Sequence, residues 1–190
     1  MSDFPRTQTL VGLALSLSKK TTGQKILAVL KDPGLSNIDF AATAINEVLD
    51  QYSLTKSHLT QSDCDAAFSQ YEKHEKKGVH IFDVSSAGYP KHLRAIKDAP
   101  PLLFVKGDLG AIAETPGVAI VGARESSETG KEIARRISRF LAENGWVIVS
   151  GLAKGVDAAA HKGCVEVGGR TVAVLASGLH EATPKQNERL

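Results

Sequence analysis

An aspartate and a histidine four residues apart are the side chains best suited to acid–base chemistry in this sequence. Asp157 and His161 lie in VIVSGLAKGVDAAAH (147–161), where a run of β-formers precedes an alanine-rich helical pattern. On a helix this spacing places both side chains on one face, as a general acid–base pair requires. The alternative is structural, because a carboxylate in the first turn of a helix accepts hydrogen bonds from free backbone amides. No nucleophile or metal-binding set accompanies the pair, so the pattern favours the structural role.

The same stretch is also suited to anion binding. Gly151 and Gly155 bracket the loop after the apolar run, and glycine permits backbone angles and close approaches that a side chain forbids. Lys154 adds a cation, and the N-terminus of the following helix supplies amide donors. The spacing matches neither the GxxxxGKS/T loop nor the GxGxxG dinucleotide motif. The glycines therefore predict either a phosphate-binding loop or a tight strand-to-helix turn.

An arginine follows an earlier apolar run, in the segment VGARESSETG (121–130). A guanidinium at the end of a strand can bind a phosphate or a carboxylate, with Ser126, Ser127 and helix amides beside it. In the alternative interpretation, Arg124 pairs with Glu125 or Glu128 at the surface. Its position directly after the strand favours phosphate contact.

Other basic residues have weaker positional support. Arg170 enters the apolar run TVAVLASG (171–178), and Lys185 follows the loop after that run, so both are candidate phosphate contacts. Lys131, Arg135 and Arg139 recur every fourth residue and would form a stripe on a helix. Such a stripe either tracks a nucleic-acid backbone or forms a solvated face, and charge runs usually do the latter.

Three apolar runs alternate with two helical patterns in this half of the chain, and this order predicts how the candidate residues are positioned. Strands that are buried on both faces have a near-continuous apolar character, and this character is present in GVAIVGAR, WVIVS and TVAVLASG. The order βαβαβ predicts a parallel sheet with right-handed crossovers. Ligands bind such sheets beyond the carboxyl ends of the strands. We therefore expect three loops to meet there: residues 122–127, 151–157 and 177–184.

The first of the two helices has a predicted start and a predicted core face. Thr129 and Glu132 have the spacing of a capping box, and Gly145 provides a C-terminal stop. The apolar stripe predicted to face the core comprises Ile133, Ile137, Phe140 and Leu141.

The N-terminal part of the chain has a different pattern. Residues 6–77 contain several helical segments, and the last of them ends in a lysine-rich turn before Gly78. Beyond it the pattern changes to two short strands, VHIFD and LLFVKG, separated by a proline-punctuated connector. We predict a helical domain over residues 1–78 and a parallel α/β domain over residues 79–190.

Composition excludes several classes of protein. The net charge of +2 is too small for a protein that coats nucleic acid by charge alone, so any anion site must be local. No apolar run approaches the roughly 20 residues that cross a membrane, and MSDFPRTQTL lacks the layout of a signal peptide. Cys64 and Cys164 have no metal-ligand spacing. We therefore predict reduced thiols, no bound metal or cofactor, and a cytoplasmic location.

Five segments, taken in order, resemble the DprA/Smf family, the DNA-processing proteins of bacterial transformation. They are YPKHLRAIKDAPPLLFVKG, VAIVGAR, VIVSGLAKGVDAAAH, GGRTVAVLASGL and PKQNERL. The resemblance covers roughly Gly78–Leu190 and implies a Rossmann-like domain, which in this family often follows a small helical domain. The family's sheet continues beyond the point where the resemblance ends. We therefore expect a Rossmann-like βαβαβ sheet that is incomplete relative to the family.

The resemblance implies a non-enzymatic role, namely binding and protecting single-stranded DNA and helping to load the RecA recombinase during natural transformation. It implies phosphate contacts by Arg124 and Lys154, with Asp157 holding the second loop. The positions that match the family's glycine–arginine and SGxAxGxD motifs are Gly122, Arg124, Ser150, Gly151, Lys154, Gly155 and Asp157.

The chain also departs from the family. Thr129 and Thr183 stand where the family often has tyrosine or another bulky residue, which removes rings that could stack on bases. The family's further strands supply much of its dimer surface, so we expect homodimer formation and RecA contact to depend on that surface. An alternative function is a nucleotide-binding or nucleotide-hydrolysing Rossmann module related to the lysine-decarboxylase-like proteins. Their PGGxGTxxE motif is absent from the sequence.

Overall fold

The structure is a computed structural model that describes residues 5–109, 115, 117–179, 184–187 and 190. Its contacts divide the chain into two compact units, Met1–Leu109 and Gly110–Leu190. Among the described residues no helix is long and apolar enough to cross a membrane.

The first unit is built around its first helix. In α1, Thr7–Ser18, every residue from Gln8 to Leu15 is buried, as expected for a helix surrounded by other elements. A capping box starts another of its helices at Thr60, whose hydroxyl and backbone N–H exchange hydrogen bonds with Asp63. The remaining elements are α2 (Gly23–Leu30), α3 (Ala42–Gln51), α4 (Gln61–Glu75), β1 (Val79–Asp83), α5 (Lys91–Arg94) and β2 (Leu102–Lys106), with 3₁₀ turns at Pro33–Asn37 and Thr55–Ser57.

The boundary between the units falls after Leu109, whereas the change of sequence pattern predicts it near Gly78. The difference arises because β1 and β2 pair antiparallel and pack against the helices that precede them. Ile81 belongs to the same hydrophobic core as α1. The carboxylate of Asp83 accepts a hydrogen bond from the Thr9 hydroxyl at 2.7 Å. These contacts join residues more than 70 positions apart, and local pattern does not reveal them.

The second unit confirms the predicted βαβαβ order. Its three strands are parallel in the order β3–β4–β5, and the two helices connect them. Val118 lies beside Ile148, and Ile148 lies beside Thr171. The elements are β3 (Gly117–Ala119), α6 (Glu128–Glu143), β4 (Val147–Ser150), α7 (Val156–Val165), β5 (Thr171–Ala173) and a 3₁₀ turn at Lys185–Asn187.

The start of α6 differs from the sequence prediction. Ser127, and not Thr129, is the N-cap residue, and its hydroxyl accepts a hydrogen bond from Gly130 N at 3.1 Å. Thr129 lies inside the first turn, where its side chain is exposed. The predicted Thr129–Glu132 capping box is therefore wrong by two residues.

The buried face of α6 is also rotated from the predicted stripe. Ala134 and Ser138 are buried, whereas the predicted core residues Ile133, Ile137 and Phe140 are exposed. The reason is that small side chains let α7 approach closely, and the Ser138 hydroxyl donates a hydrogen bond to the Ala160 carbonyl. Of the predicted stripe, Leu141 packs on the core of the unit.

Candidate functional site

The loop between β4 and α7 requires glycine where it meets the loop after β3. Gly155 has a φ of +80°, in the left-handed region, and a Cβ there would lie 2.3 Å from the Ala123 carbonyl oxygen and 2.6 Å from that of Arg124. The next residue, Val156, donates its N–H to the Ala123 carbonyl at 3.3 Å. The first two loops are therefore in direct contact, as the parallel strand order predicts.

Gly122 and Ser150 keep the same two loops close together. A Cβ on Gly122 would lie 2.7 Å from the Val156 side chain. The buried hydroxyl of Ser150 donates to the Ile120 carbonyl at 2.7 Å, which ties the end of β4 to the chain leaving β3. Because its proton is engaged there, Ser150 shapes the site without offering that donor to a ligand.

Asp157 closes the second loop from within. It lies in the first turn of α7, is buried, and accepts a hydrogen bond from Gly151 N at 3.2 Å. A Cβ on Gly151 would meet this carboxylate at 2.8 Å. The carboxylate thus joins the two ends of the loop, as a structural aspartate at a helix N-terminus does.

His161 is packed beneath the loop and does not face solvent. Its side chain is 1% exposed, and Nδ1 lies 2.7 Å from the Thr171 hydroxyl. Thr171 donates its own proton to the Ile148 carbonyl at 2.8 Å, so His161 Nδ1 carries the hydrogen between them. Burial lowers the pKa of His161, and the nearby charge of Asp157 only partly opposes that effect. The His161 ring is therefore engaged within the fold, which favours a structural role over acid–base catalysis.

The 3₁₀ turn at Lys185–Asn187 is attached to the second loop by a residue that the sequence pattern did not identify. Asn187 is buried and donates from Nδ2 to the carbonyls of Leu152, at 2.9 Å, and Ala153, at 3.3 Å. Leu152 has a φ of +57°, which is unfavourable for a branched side chain. Asn187 therefore stabilises a strained loop. The signal available in the sequence was the asparagine of PKQNERL, which lies just after the predicted third loop.

Replacing Asn187 by alanine should loosen the second loop. One buried and one half-buried carbonyl would lose their donor, and we expect a loss of about 1–3 kcal/mol in the free energy of unfolding. Thermal denaturation followed by circular dichroism measures it. Gln186→Ala, at the exposed neighbouring position, is the control, and equal melting temperatures for the two variants would contradict the assignment.

Three of the four predicted phosphate contacts lie on these joined segments: Arg124 on the first loop, Lys154 on the second, and Lys185 in the turn at Lys185–Asn187. The side chains of Arg124, Lys154 and Lys185 are exposed, and none of them forms an ion pair within the described ranges. Glu128, one proposed partner for Arg124, pairs instead with Lys131 at 2.8 Å. Thr183, in the third loop, lies outside the described residues.

Arg170 does not join the other three cations. It directly precedes β5, and because the strands are parallel it lies at their amino ends, opposite the three loops. There its carbonyl accepts a hydrogen bond from Ile148 N at 3.0 Å. The direction of the strand places Arg170 away from the loop edge.

A cleft of about 630 Å³ opens beside the second loop, between the N-terminal halves of α6 and α7. Lys154 and Lys162 contribute cations to its lining, together with Lys131 and Arg135. Its principal acidic residues are Glu128 and Glu132, and the turn that carries Asn187 also borders it.

The basic stripe on α6 is largely neutralised by its own ion pairs. Lys131 pairs with Glu128, and Arg139 pairs with Glu143 at 3.0 Å. Arg135 pairs with both Glu132, at 3.0 Å, and Glu166, at 2.8 Å. This geometry is that of a solvated face. Arg136 on α6 and Lys162 on α7 are exposed and form no ion pair within the described ranges, so they are available to a ligand together with the cations on the loops. Across the described part of the chain, no cluster of three or more His, Cys, Asp or Glu residues has a geometry that could hold a metal ion.

A parallel βαβαβ sheet whose loops meet at the carboxyl ends of its strands defines a Rossmann-like α/β protein. Residues 80–190 match the model of the DNA recombination-mediator protein A family. The chain belongs to this family, as the resemblance to DprA/Smf proteins predicted.

Individual relatives agree with this membership. The chain is 35% identical over 117 residues to the DNA processing protein DprA of Bacillus subtilis, covering 62% of this chain and 39% of that protein. It is 46% identical over 109 residues to DprA of Streptococcus pneumoniae, covering 57% of this chain and 38% of that protein. The chain thus spans about two fifths of the length of these relatives.

A solved structure extends the similarity to the helical unit. The X-ray structure of DNA processing protein A (DprA) from Streptococcus pneumoniae matches 93% of this chain and 60% of its own, with a TM-score of 0.68 and 34% identity. The match therefore includes most of the first unit, for which the sequence carried little specific signal.

Proposed function

We propose that the protein binds single-stranded DNA at the carboxyl edge of its parallel sheet and acts in DNA processing during recombination and transformation. The observation that carries the proposal is the joining of the first two loops and the turn at Lys185–Asn187, each of which presents an exposed cation. A backbone hydrogen bond joins the loops that carry Arg124 and Lys154, and Asn187, two residues beyond Lys185, binds the second of these loops. The family, and the names of its relatives as DNA processing proteins, supply the ligand class.

The chemistry of the loops supports binding through phosphate groups. Arginine offers a planar fork to phosphate oxygens, and lysine offers a compact charge. None of the three loops contains Phe, Tyr or Trp, and the turn at Lys185–Asn187 also lacks these residues. Affinity at this edge should therefore come mainly from charge and fall steeply with salt.

The proposed role is non-enzymatic. The burial of His161 and the engagement of Asp157 with Gly151 support this part of the proposal. Transfer of the bound strand to RecA and homodimer formation, which the family resemblance implies, belong to the same proposal. We assign the activity to the cytoplasm, where the buried thiols of Cys64 and Cys164 would stay reduced.

The test is the binding of a fluorescent (dT)30 oligonucleotide at several salt concentrations. Binding should weaken more than tenfold near 0.1 M salt, because about three phosphate contacts disappear, in the triple variant that combines Arg124→Ala, Lys154→Ala and Lys185→Ala. The slope of log affinity against log salt should fall by about 0.7 for each lost contact.

Arg170→Ala is the matched control, because it removes a cation from the opposite edge of the sheet. It should leave affinity and salt slope unchanged. If the triple variant binds as wild type does, or if Arg170→Ala weakens binding as strongly, the loop edge is not the binding site.

A further inference from the structure

A second surface suited to nucleic acid lies in the first unit, beside the β1–β2 pair. Phe104, on β2, is 41% exposed, and its ring lies 5.2 Å from the ring of His74 on α4, centroid to centroid, at an interplanar angle of 50°. Two rings in contact, one of them well exposed, form a surface on which a base can stack.

Both rings are held in place by the fold. Phe104 lies opposite Ile81 in the antiparallel register, and Ile81 is buried in the core, so the strand that carries the ring is anchored. His74 Nδ1 lies 2.7 Å from the Gln70 carbonyl and donates to it, which fixes the ring on its own helix. A surface that is fixed before binding loses little conformational entropy when a base stacks on it.

Lysines flank this pair of rings. Lys106 is two residues beyond Phe104, so it lies on the same face of the strand, opposite Val79. Lys77 follows His74 by three residues and lies just before β1. Both lysines are exposed and form no ion pair within the described ranges.

The neighbouring acidic groups are already engaged. Glu72 pairs with Lys76 at 3.7 Å, and Glu75 contacts His80 at 3.2 Å. Lys77 and Lys106 therefore have no carboxylate partner within the described ranges and can contact phosphate groups. Flat rings flanked by available cations complement a chain that alternates bases with phosphates.

We propose that His74, Phe104, Lys77 and Lys106, which we term the aromatic platform, form a second contact for single-stranded nucleic acid. A base stacks on Phe104, and the adjoining phosphates contact Lys106 and Lys77. The ligand class rests on the proposed function, but the contact is separate from the loop edge of the second unit. It supplies the stacking that the three loops lack.

The experiment measures (dT)30 binding by the full chain with Phe104→Ala. Stacking of one base predicts about tenfold weaker binding, and Phe104→Trp should restore it. The control is Phe68→Ala, which removes a ring of similar exposure, 38%, that lies near Asp65 and Glu72 on α4. It should leave affinity unchanged.

A second variant tests the charges of the platform and leaves the half-buried Phe104 ring in place. Lys77→Ala with Lys106→Ala changes only exposed side chains and should lower the salt slope by about 1.4. If this double variant and Phe104→Ala both bind (dT)30 with wild-type affinity and salt slope, the aromatic platform is not a nucleic-acid contact.

The two binding proposals fail in distinguishable ways. If only the triple loop variant weakens binding, the platform is wrong and the loop edge stands. If only the platform variants weaken binding, the loop edge is wrong and the platform stands. A wild-type chain that binds no oligonucleotide at low salt overturns both.

Discussion

Gly163→Ala is expected to unfold the second unit, or to lower its melting temperature by more than 10 °C. Gly163 lies in α7, where a Cβ would be 2.1 Å from the carbonyl oxygen of Arg135 in α6. It would also be 2.9 Å from the carbonyl carbon and 3.0 Å from Cα of the same residue. These are backbone atoms, so no side chain can turn away to make room. The helices must separate, which costs about 3 kcal/mol in overpacking.

Gly130→Ala is the matched control for this substitution. Gly130 also lies in a helix, but its added Cβ would be 3.4 Å from the Ser127 hydroxyl, an ordinary contact. Alanine is the better helix former, so this variant should be stabilised by up to about 1 kcal/mol. Urea denaturation of both variants gives the comparison. A Gly163→Ala variant as stable as wild type would show that α6 and α7 are not packed this closely.

Asp83→Ala should destabilise the first unit by about 3 kcal/mol or more. The Asp83 side chain is fully buried and accepts hydrogen bonds from the Thr9 hydroxyl, at 2.7 Å, and the Ser86 hydroxyl, at 2.8 Å. The Ser85 backbone N–H donates to it at 2.8 Å, and Arg6 lies 3.7 Å away. Removing the carboxylate leaves several donors without their acceptor, and each buried one costs about 1–3 kcal/mol.

Urea denaturation monitored by circular dichroism measures the loss, and Asp98→Ala, at an exposed position, is the control. Asp98 has one long contact, from Gln24 at 3.5 Å, so its removal should change stability by less than about 0.5 kcal/mol. Equal effects of the two substitutions would mean that Asp83 does not join β1 to α1.

The same carboxylate predicts how stability depends on pH. Burial acts to raise the pKa of Asp83, but hydrogen bonds from Ser85, Thr9 and Ser86 and the charge of Arg6 hold it below the ordinary value of 3.8. The unfolded chain therefore binds this proton at a higher pH than the folded chain does. The stabilisation of the folded state by the ionised Asp83 carboxylate is complete above about pH 4. It is lost as the pH falls through the pKa of Asp83 in the folded chain. The stability gap between wild type and Asp83→Asn should narrow over that acid range, and a constant gap would contradict the assignment.

Much of the candidate site could be predicted because its elements have strong local patterns. The apolar runs before Arg124 and Lys154 identify strands, and glycines at Gly151 and Gly155 mark the turn into α7. A parallel sheet then requires the carboxyl ends to share one edge. That rule also places Arg170 at the other edge, because it precedes its strand. The position of Arg170 was therefore predictable once the strand direction was applied to it.

Other features depend on contacts that no local pattern contains. Asn187 binds carbonyls of Leu152 and Ala153, more than 30 residues away, and a polar side chain in a loop gives no indication of its partner. The contact between the tilted rings of His74 and Phe104 likewise joins two segments that are distant in sequence. Each contact exists only after both segments have been positioned by their own cores.

By itself, the sequence determined the order of helices and strands in the second unit, the parallel sheet and the edge at which its loops meet. Apolar periodicity and glycine placement depend on residues a few positions apart, so they can be recognised without the contacts of the whole chain. The tertiary structure alone decided that β1 and β2 belong with the helical unit, and that α6 buries Ala134 and Ser138 instead of Ile133 and Ile137. A single residue turns a helix face by 100°, and only the partner that packs against the helix selects which face is buried.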